Sequence, residues 1–387
     1  MKKRLIILGS TGSIGTRTLD VVRDFARHFD VVALSTNGQT PLLEKQCEEF
    51  HPQAICVTSP DKADEALTIA DRHDAQCFLG EAGLVDMIKA CNADLIMVAT
   101  VGFVGTAPTL AAIDRGMTIA LANKEVLVCA GEIVMRRARE AGVAVLPVDS
   151  EHNAIFQCLH GMDITGIRKL ILTASGGPFR GMTQADMTEL TAEDALKHPT
   201  WNMGAKITID CSTLMNKGFE VIEAAHLFDI PVEQVDVVVH PQSTIHSMVE
   251  YLDGSIIAQM GLTDMYFPIQ NILLYPERQA NHFPSLDFTT LGQLTFFAPD
   301  RENFPCLDYA YEAVRRGNVY PTLLNAANEV AVARFLEGEI GYLDIPRTIR
   351  ATMDVYREPL ADELTMETIS AADRWAREFA RSGALAG

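Results

Sequence analysis

Asp149 and Glu151 stand two residues apart at the end of the apolar run VAVLPVDSEHN. On an extended strand, positions i and i+2 point to one face. Two carboxylates that close need a cation or a shared proton. A hard divalent ion with oxygen ligands, Mg²⁺ or Mn²⁺, suits them. A solvated acidic turn is the competing reading. A third carboxylate lies further on, where Met215-Asn216-Lys217-Gly218-Phe219-Glu220 opens a helix. Asn216 and Glu220 are four apart and share a face. Asn216 and Lys217 there could hold an anion while Glu220 completes the metal set, or Asn and Glu could simply cap the helix start.

A second chemistry sits at the chain start. Gly9-Ser10-Thr11-Gly12-Ser13-Ile14-Gly15 follows the strand-like RLIIL and precedes a helical pattern. A glycine turn at a helix N-terminus aims backbone N–H groups and a positive dipole at one point, which suits a pyrophosphate. The spacing is GxxGxxG, a variant of the dinucleotide fingerprint. A plain strand-to-helix turn would look similar. The second strand, VVALS, runs into Ser35-Thr36-Asn37-Gly38-Gln39 with no carboxylate to hold a ribose 2′-OH. The neutral hydroxyls of Ser35 and Thr36 and the amides of the Asn37, Gly38 and Gln39 segment favour NADPH over NADH.

Two further segments suit a ligand. Ala174-Ser175-Gly176-Gly177-Pro178-Phe179 follows the strand KLILT and reads as an anion-binding nest or as a strand-ending turn. The polar stretch 180–197 then leads to His198-Pro199-Thr200-Trp201-Asn202-Met203-Gly204, holding one of two tryptophans. A lid over a ligand, or a loop anchored by its Trp, are the two readings.

These groups need a scaffold. At about 150 residues per domain, 387 residues suggest two or three domains. A chain that is 48% hydrophobic and 21% charged can bury a sizeable core, which excludes disordered and disulfide-framework classes. The net charge of −19 argues against nucleic acid and anionic membranes as partners. The eight cysteines are dispersed without a CxxC, as in a reducing compartment. The opening apolar run, residues 5–8, is too short for a secretory leader. The uncharged stretch 95–113 has membrane-spanning length, but its glycines and proline read better as strand, turn and helix. A soluble cytoplasmic protein is expected.

Up to residue 149, RLIILGS, DVVALST, AICVTS, DLIMVAT, TIALAN and VAVLPVDS read as strands, with helical stretches between some of them. That alternation predicts an α/β, Rossmann-like, doubly wound parallel sheet. Residues 150–275 read as a central α+β catalytic domain, with strands KLILTAS, AKITIDC, VDVVVHPQ and SIIAQMG. Prolines become frequent over 276–305, a connector, and 306–387 reads as a C-terminal helical bundle.

GSTGSIG, LANKE (121–125), DSEHNAIFQ (149–157), ASGGPF, HPTWNMG, MNKGFE, HPQSTIHSMV (240–249) and LNAANEVAV (324–332) occur in that order. Together they resemble the 1-deoxy-D-xylulose 5-phosphate reductoisomerase family of non-mevalonate isoprenoid biosynthesis. The resemblance implies a homodimeric enzyme acting on a small phosphosugar. It rearranges that substrate by a retro-aldol/aldol step and reduces it with NADPH to 2-C-methyl-D-erythritol 4-phosphate. It implies a divalent metal, Mg²⁺ or Mn²⁺, on Asp149, Glu151 and Glu220, polarising the substrate carbonyl. Lys124 would lie near the reacting oxygens and Ser150 would bind substrate. Ser175, Asn216 and Lys217 would hold phosphate and hydroxyls, His246 would sit by the substrate, and His198, Trp201 and Met203 would form the flap. Thr11, Gly12, Ser13, Ile14, Asn123, Glu125 and Gly204 would line the NADPH site.

Three departures from the family pattern stand out. Cys211 takes the position of a phosphate-contacting serine, and a thiol is the weaker donor. If that segment is extended, Ser212 faces the other way. Asn37-Gly38-Gln39 lacks the frequent basic residue, and Gly261-Leu262-Thr263-Asp264-Met265 lacks a proline. A cofactor-binding scaffold without chemistry, or a dehydrogenase of another metabolite, are the alternatives. Such a dehydrogenase does not need the three carboxylates together.

Overall fold

The computed structural model describes residues 1–162, 164–197, 203–357 and 363–383. Packing divides the chain into two compact units that are discontinuous in sequence. The first comprises residues 1–126, 134–153 and 264–283, and the second comprises 127–133, 154–263 and 284–387.

The first unit is built on seven strands: β1 (Lys3–Leu8), β2 (Phe29–Thr36), β3 (Ala54–Val57), β4 (Gln76–Leu79), β5 (Leu95–Val98), β6 (Thr118–Leu121) and β7 (Val145–Pro147). Their order is β4-β3-β2-β1-β5-β6-β7, and every pairing is parallel. The central strands are apolar runs because both faces are covered: Leu5 to Leu8 and Ile96 to Val98 are fully buried. Order reverses between β1 and β5, the switch point where doubly wound sheets bind ligands. In a parallel sheet all carboxyl ends share one edge. Topology alone therefore gathers there the turns after β1, β2, β5, β6 and β7. The helix Tyr266–Leu274 packs on the helix Ser13–Asp24. Arg17 pairs with Asp264, and the Tyr266 hydroxyl donates to Asp24 Oδ2 at 2.5 Å.

The second unit holds β8 (Ile167–Ala174), β9 (Val235–Val239), β10 (Ile245–Tyr251) and β11 (Ile256–Met260), in order β11-β10-β8-β9. β8 and β9 run parallel and the other pairs antiparallel. The C-terminal helices belong to this unit. Tyr320–Leu336 is buried along most of its length and packs against Cys306–Arg316, Asp344–Val355 and Met366–Ser382, as a helix covered on several sides does. The Tyr311 hydroxyl ties Cys306–Arg316 to β9 by donating to the Val235 carbonyl at 2.7 Å.

Two local expectations are corrected. AKITIDC is not a strand but the helix Ala205–Ser212. Its Ile-Thr-Ile alternation imitates a strand. Lys206 and Asp210, however, pair across one helical turn at 2.8 Å, and the Thr208 hydroxyl bonds back to the Gly204 carbonyl at 2.8 Å. Asp149 and Glu151 do not share an extended strand either. Asp149 precedes the helix Ser150–Cys158, its carbonyl accepting from Asn153 N at 2.8 Å and its carboxylate standing 3.4 Å from Glu151 N. Capping, not strand alternation, brings these carboxylates near each other.

Candidate active site

In the first unit, Gly9 has φ +76 and Gly12 caps the helix Ser13–Asp24 with no side-chain hydrogen bond of its own. A Cβ on Gly15 would press on Gly9 O and come within 2.5 Å of Ser10 Cα, so this glycine lets the helix lie on the turn. Among the described residues, a Cβ on Gly12 would meet only Gly9 O, at 3.4 Å. Packing thus explains Gly15 but not Gly12, whose bare backbone suits close approach by a phosphate. Thr11 Oγ1 lies 2.6 Å from Thr36 Oγ1, which fixes the turn against the end of β2. Ser13 and Ile14 open the helix. Beyond β2, the Asn37 amide oxygen accepts from Thr58 Oγ1 at 2.9 Å, and Gln39 N donates to Thr36 Oγ1 at 3.2 Å.

After β6, Asn123 is 2% exposed and donates to Gly102 O at 2.9 Å and Thr100 Oγ1 at 3.1 Å. Its buried Oδ1 meets no hydrogen-bond donor among the described residues. A buried acceptor left in that state is costly, and a bound ligand would satisfy it. Lys124 and Glu125 follow at the start of the helix Glu125–Ala141, both buried. Lys124 Nζ reaches Asp149 Oδ2 at 2.6 Å, the two side chains only 9% and 11% exposed. Burial alone would raise the Asp149 pKa. The nearby Lys124 charge, with the His152 ring 3.8 Å away, outweighs it and holds Asp149 well below the usual carboxylate range. Asp149 is therefore anionic at neutral pH, as a metal ligand must be. Ser150 donates to Glu151 Oε2 at 2.6 Å, so those two expected substrate residues orient each other.

In the second unit, β8 delivers Ser175 and two left-handed glycines, Gly176 (φ +88) and Gly177 (φ +69). Gly177 N donates to Ser175 Oγ at 3.2 Å. A Cβ on Gly177 would lie 2.8 Å from the Cys211 carbonyl oxygen, so the glycine loop sits directly on the end of the helix Ala205–Ser212. The structure thus brings Gly177, two residues after Ser175, onto the Cys211 backbone. Cys211 is part-exposed, whereas Ser212 is buried and spends its hydroxyl on the Ile209 carbonyl at 2.7 Å. Ser212 is no substitute for the missing serine, for a helical reason rather than the extended-strand one. Gly204 is the exposed N-cap of this helix, with Met203 before it. His198 and Trp201 lie outside the described residues.

The helix Met215–Leu227 carries the rest. Asn216 Nδ2 donates to Glu220 Oε1 at 2.5 Å, and Lys217 Nζ pairs with Glu220 Oε2. Glu220 is 1% exposed and Lys217 3%. The expected phosphate ligands thus clamp the expected metal ligand. His246, on β10, stands 3.3 Å by Nε2 from the Leu262 carbonyl. Burial lowers its pKa, and the charges of His240 and Lys217 act in the same direction.

Sequence reasoning gave Asp210 and Asn328 no role. Asn328 Nδ2 donates to Asp210 Oδ1 at 2.7 Å, both buried, and so anchors the helix end that presents Cys211. His240 was also missed. It is fully buried, with Nδ1 3.0 Å from Thr295 O and Nε2 accepting from Thr244 N at 3.2 Å.

A doubly wound parallel sheet with a bare glycine turn at its switch point, and a buried Lys–Asp pair on the same edge, is the frame of a dinucleotide-dependent oxidoreductase. Three family profiles match this chain: 1-deoxy-D-xylulose 5-phosphate reductoisomerase over residues 5–131, its C-terminal domain over 145–228, and DXP reductoisomerase C-terminal domain over 260–379. The 1-deoxy-D-xylulose 5-phosphate reductoisomerase of Thermoanaerobacter pseudethanolicus is 49% identical over 383 residues, covering 98% of this chain and 100% of that one. That of Symbiobacterium thermophilum is 50% identical over 385 residues, 98% of each. A reductoisomerase structure from Zymomonas mobilis in complex with NADPH superposes with TM-score 0.91 at 43% identity, covering 99% of both chains. A crystal structure of DOX-P reductoisomerase in complex with NADPH, fosmidomycin and magnesium gives 0.93 at 41% identity, covering 98% of both. The chain belongs to the 1-deoxy-D-xylulose 5-phosphate reductoisomerase family.

Proposed function

We propose that this chain converts 1-deoxy-D-xylulose 5-phosphate to 2-C-methyl-D-erythritol 4-phosphate, using NADPH and a divalent metal, in non-mevalonate isoprenoid biosynthesis. The observation that carries this reading is the match to reductoisomerases along 98% of the chain at about half identity. Bound NADPH supplies a hydride, and a bound Mg²⁺ or Mn²⁺ supplies positive charge for the substrate's carbonyl and hydroxyl oxygens.

The first unit's residues fit those groups. The bare Gly12 backbone and the buried Asn123 Oδ1 suit a dinucleotide. Asp149, kept ionised by Lys124, suits a cation. In this reading Asp149, Glu151 and Glu220 are the metal ligands. Lys124 holds Asp149 anionic and offers a proton-bearing cation to the substrate oxygens. Ser150 orients Glu151, while Asn216 and Lys217 hold both oxygens of Glu220. When substrate arrives, Lys217 and Asn216 must share their donors with it. Ser175, the Gly176-Gly177 backbone and Cys211 form the phosphate end. His246, held neutral at pH 7 by its surroundings, packs beside the substrate.

We propose also that the protein is a cytoplasmic homodimer, as the resemblance implies. Among the described residues no helix is long and apolar enough to cross a membrane. Purified protein given substrate, NADPH and Mg²⁺ is expected to consume NADPH, and chelation is expected to stop it. Full activity after complete chelation would overturn the reading.

A further inference from the structure

Asn37-Gly38-Gln39 contains no cationic side chain, yet a ribose 2′-phosphate brings close to two negative charges. The structure brings a lysine stem from elsewhere in the chain beside Gly38. β3 lies parallel to β2, with Val57 opposite Thr36. The chain leaving β3 is fastened to the chain leaving β2. Thr58 N donates to Thr36 O at 3.1 Å, Ser59 N to Asn37 O at 2.9 Å, and Thr58 Oγ1 to Asn37 Oδ1 at 2.9 Å. These bonds carry the short turn Pro60–Lys62 alongside Gly38. A Cβ on Gly38 would lie 3.6 Å from Ser59 Cβ and 3.7 Å from Lys62 Cγ. The bare face of Gly38 therefore looks onto the Ser59 side chain and the Lys62 stem.

Lys62 Nζ here bonds Glu65 Oε1 at 2.8 Å across one turn, the lysine side chain one-third exposed. An exposed pair of this kind contributes little, so the ammonium can be redirected at small cost. Glu65 keeps a second partner, the Thr40 hydroxyl, and Ser59 Oγ is turned to Asp61. A dianionic phosphate at Gly38 would offer both Lys62 and Ser59 a more highly charged acceptor than these carboxylates.

We propose that Lys62, assisted by the Ser59 hydroxyl, recognises the 2′-phosphate of NADPH at Gly38 and so sets the preference for NADPH over NADH in this chain. The inference rests on the NADPH-dependent function proposed above. Gly38 then acts as the opening through which a lysine 24 positions further along the chain reaches the nucleotide. A side chain at Gly38 would fill that opening.

Equilibrium titration of the full-length chain with NADPH and with NADH, by calorimetry, tests this without turnover. Lys62→Ala is expected to weaken NADPH binding about tenfold and leave NADH binding unchanged, as loss of one charge-assisted bond implies. Lys62→Arg is expected to restore the preference. Paired titrations with 2′,5′-ADP and 5′-AMP are expected to show the same split. An unchanged NADPH-to-NADH affinity ratio in Lys62→Ala would overturn the proposal, as would an equal fall in both affinities. If the unaltered protein binds neither dinucleotide, the function reading fails and takes this inference with it. If it prefers NADPH and Lys62→Ala keeps that preference, only this inference fails.

Discussion

Gly12 and Gly15 lie three residues apart in one motif, and the proposed function gives them different duties. Changing each to alanine separates the duties. A methyl on Gly15 would lie 2.5 Å from Ser10 Cα and 2.6 Å from Ser10 C, where ordinary contact begins near 3.4 Å. The helix Ser13–Asp24 or the turn must therefore move by at least about 0.9 Å, the difference of those figures, and further to clear Gly9 O. Both are backbone in a packed sheet edge, so neither yields cheaply. Overpacking of this kind costs about 1–3 kcal/mol or more, against about 1 kcal/mol gained from replacing a helical glycine by alanine. Gly15→Ala is expected to lose about 1 kcal/mol of stability in urea unfolding, the middle of that difference. A methyl on Gly12 meets nothing closer than 3.4 Å, and its φ of −76 suits any residue. Gly12→Ala is expected to change stability by less than about 1 kcal/mol, the scale of a helix cap. Its methyl stands where the nucleotide phosphates approach, so NADPH affinity is expected to fall about tenfold, or 1.4 kcal/mol. Urea unfolding and NADPH titration of both variants form one experiment. A Gly15→Ala protein as stable as the parent, or a Gly12→Ala protein that binds NADPH normally, would refute the assignment.

Two other predictions follow from the second unit. His226 packs its ring against Gly131, and burial lowers its pKa to about 4. The folded state therefore resists a proton that the unfolded chain takes up below about pH 6.5. This contribution to stability is complete above pH 6.5 and is lost as pH falls toward 4, by up to about 3 kcal/mol. Unfolding midpoints measured from pH 7 to 4 are expected to fall less in His226→Asn than in the parent; identical slopes would contradict the burial argument. Cys211 sits against the Ser175-Gly176-Gly177 loop at a position where a hydroxyl donates better than a thiol. Cys211→Ser is expected to lower the KM for the phosphosugar severalfold with little change in kcat, and an unchanged KM would show that the position does not touch phosphate.

Much of the first unit was legible because buried parallel strands are continuous apolar runs, and LIIL, LIMV and AICV are hard to read otherwise. β4, QCFL, escaped because its residues are half-exposed at the sheet edge and its pattern is short. AKITIDC was misread because a helix held by tertiary anchors can carry a strand-like alternation: the Asn328 bond to Asp210 is 118 residues away in sequence. The nearness of Asp149 to Glu151 comes from a helix start, not from strand alternation. Asp149 followed by an acidic first turn is a helix-cap signal as much as a strand end. Lys62 could not be found at all, since only the pairing of β2 with β3 brings it beside Gly38. Residue types at a site are visible in sequence. The partners that set their charge state, as Lys124 does for Asp149, belong to the fold.

The central claim is a carbon-skeleton rearrangement that depends on a cation and on NADPH together, and identifying the product tests it most directly. Purified protein, incubated with 1-deoxy-D-xylulose 5-phosphate, NADPH and Mg²⁺, is expected to yield 2-C-methyl-D-erythritol 4-phosphate by carbon NMR, in step with NADPH consumed. Glu220→Gln is expected to bind NADPH and form none. NADPH consumption without the branched product, or branched product formed after exhaustive chelation, would contradict the account.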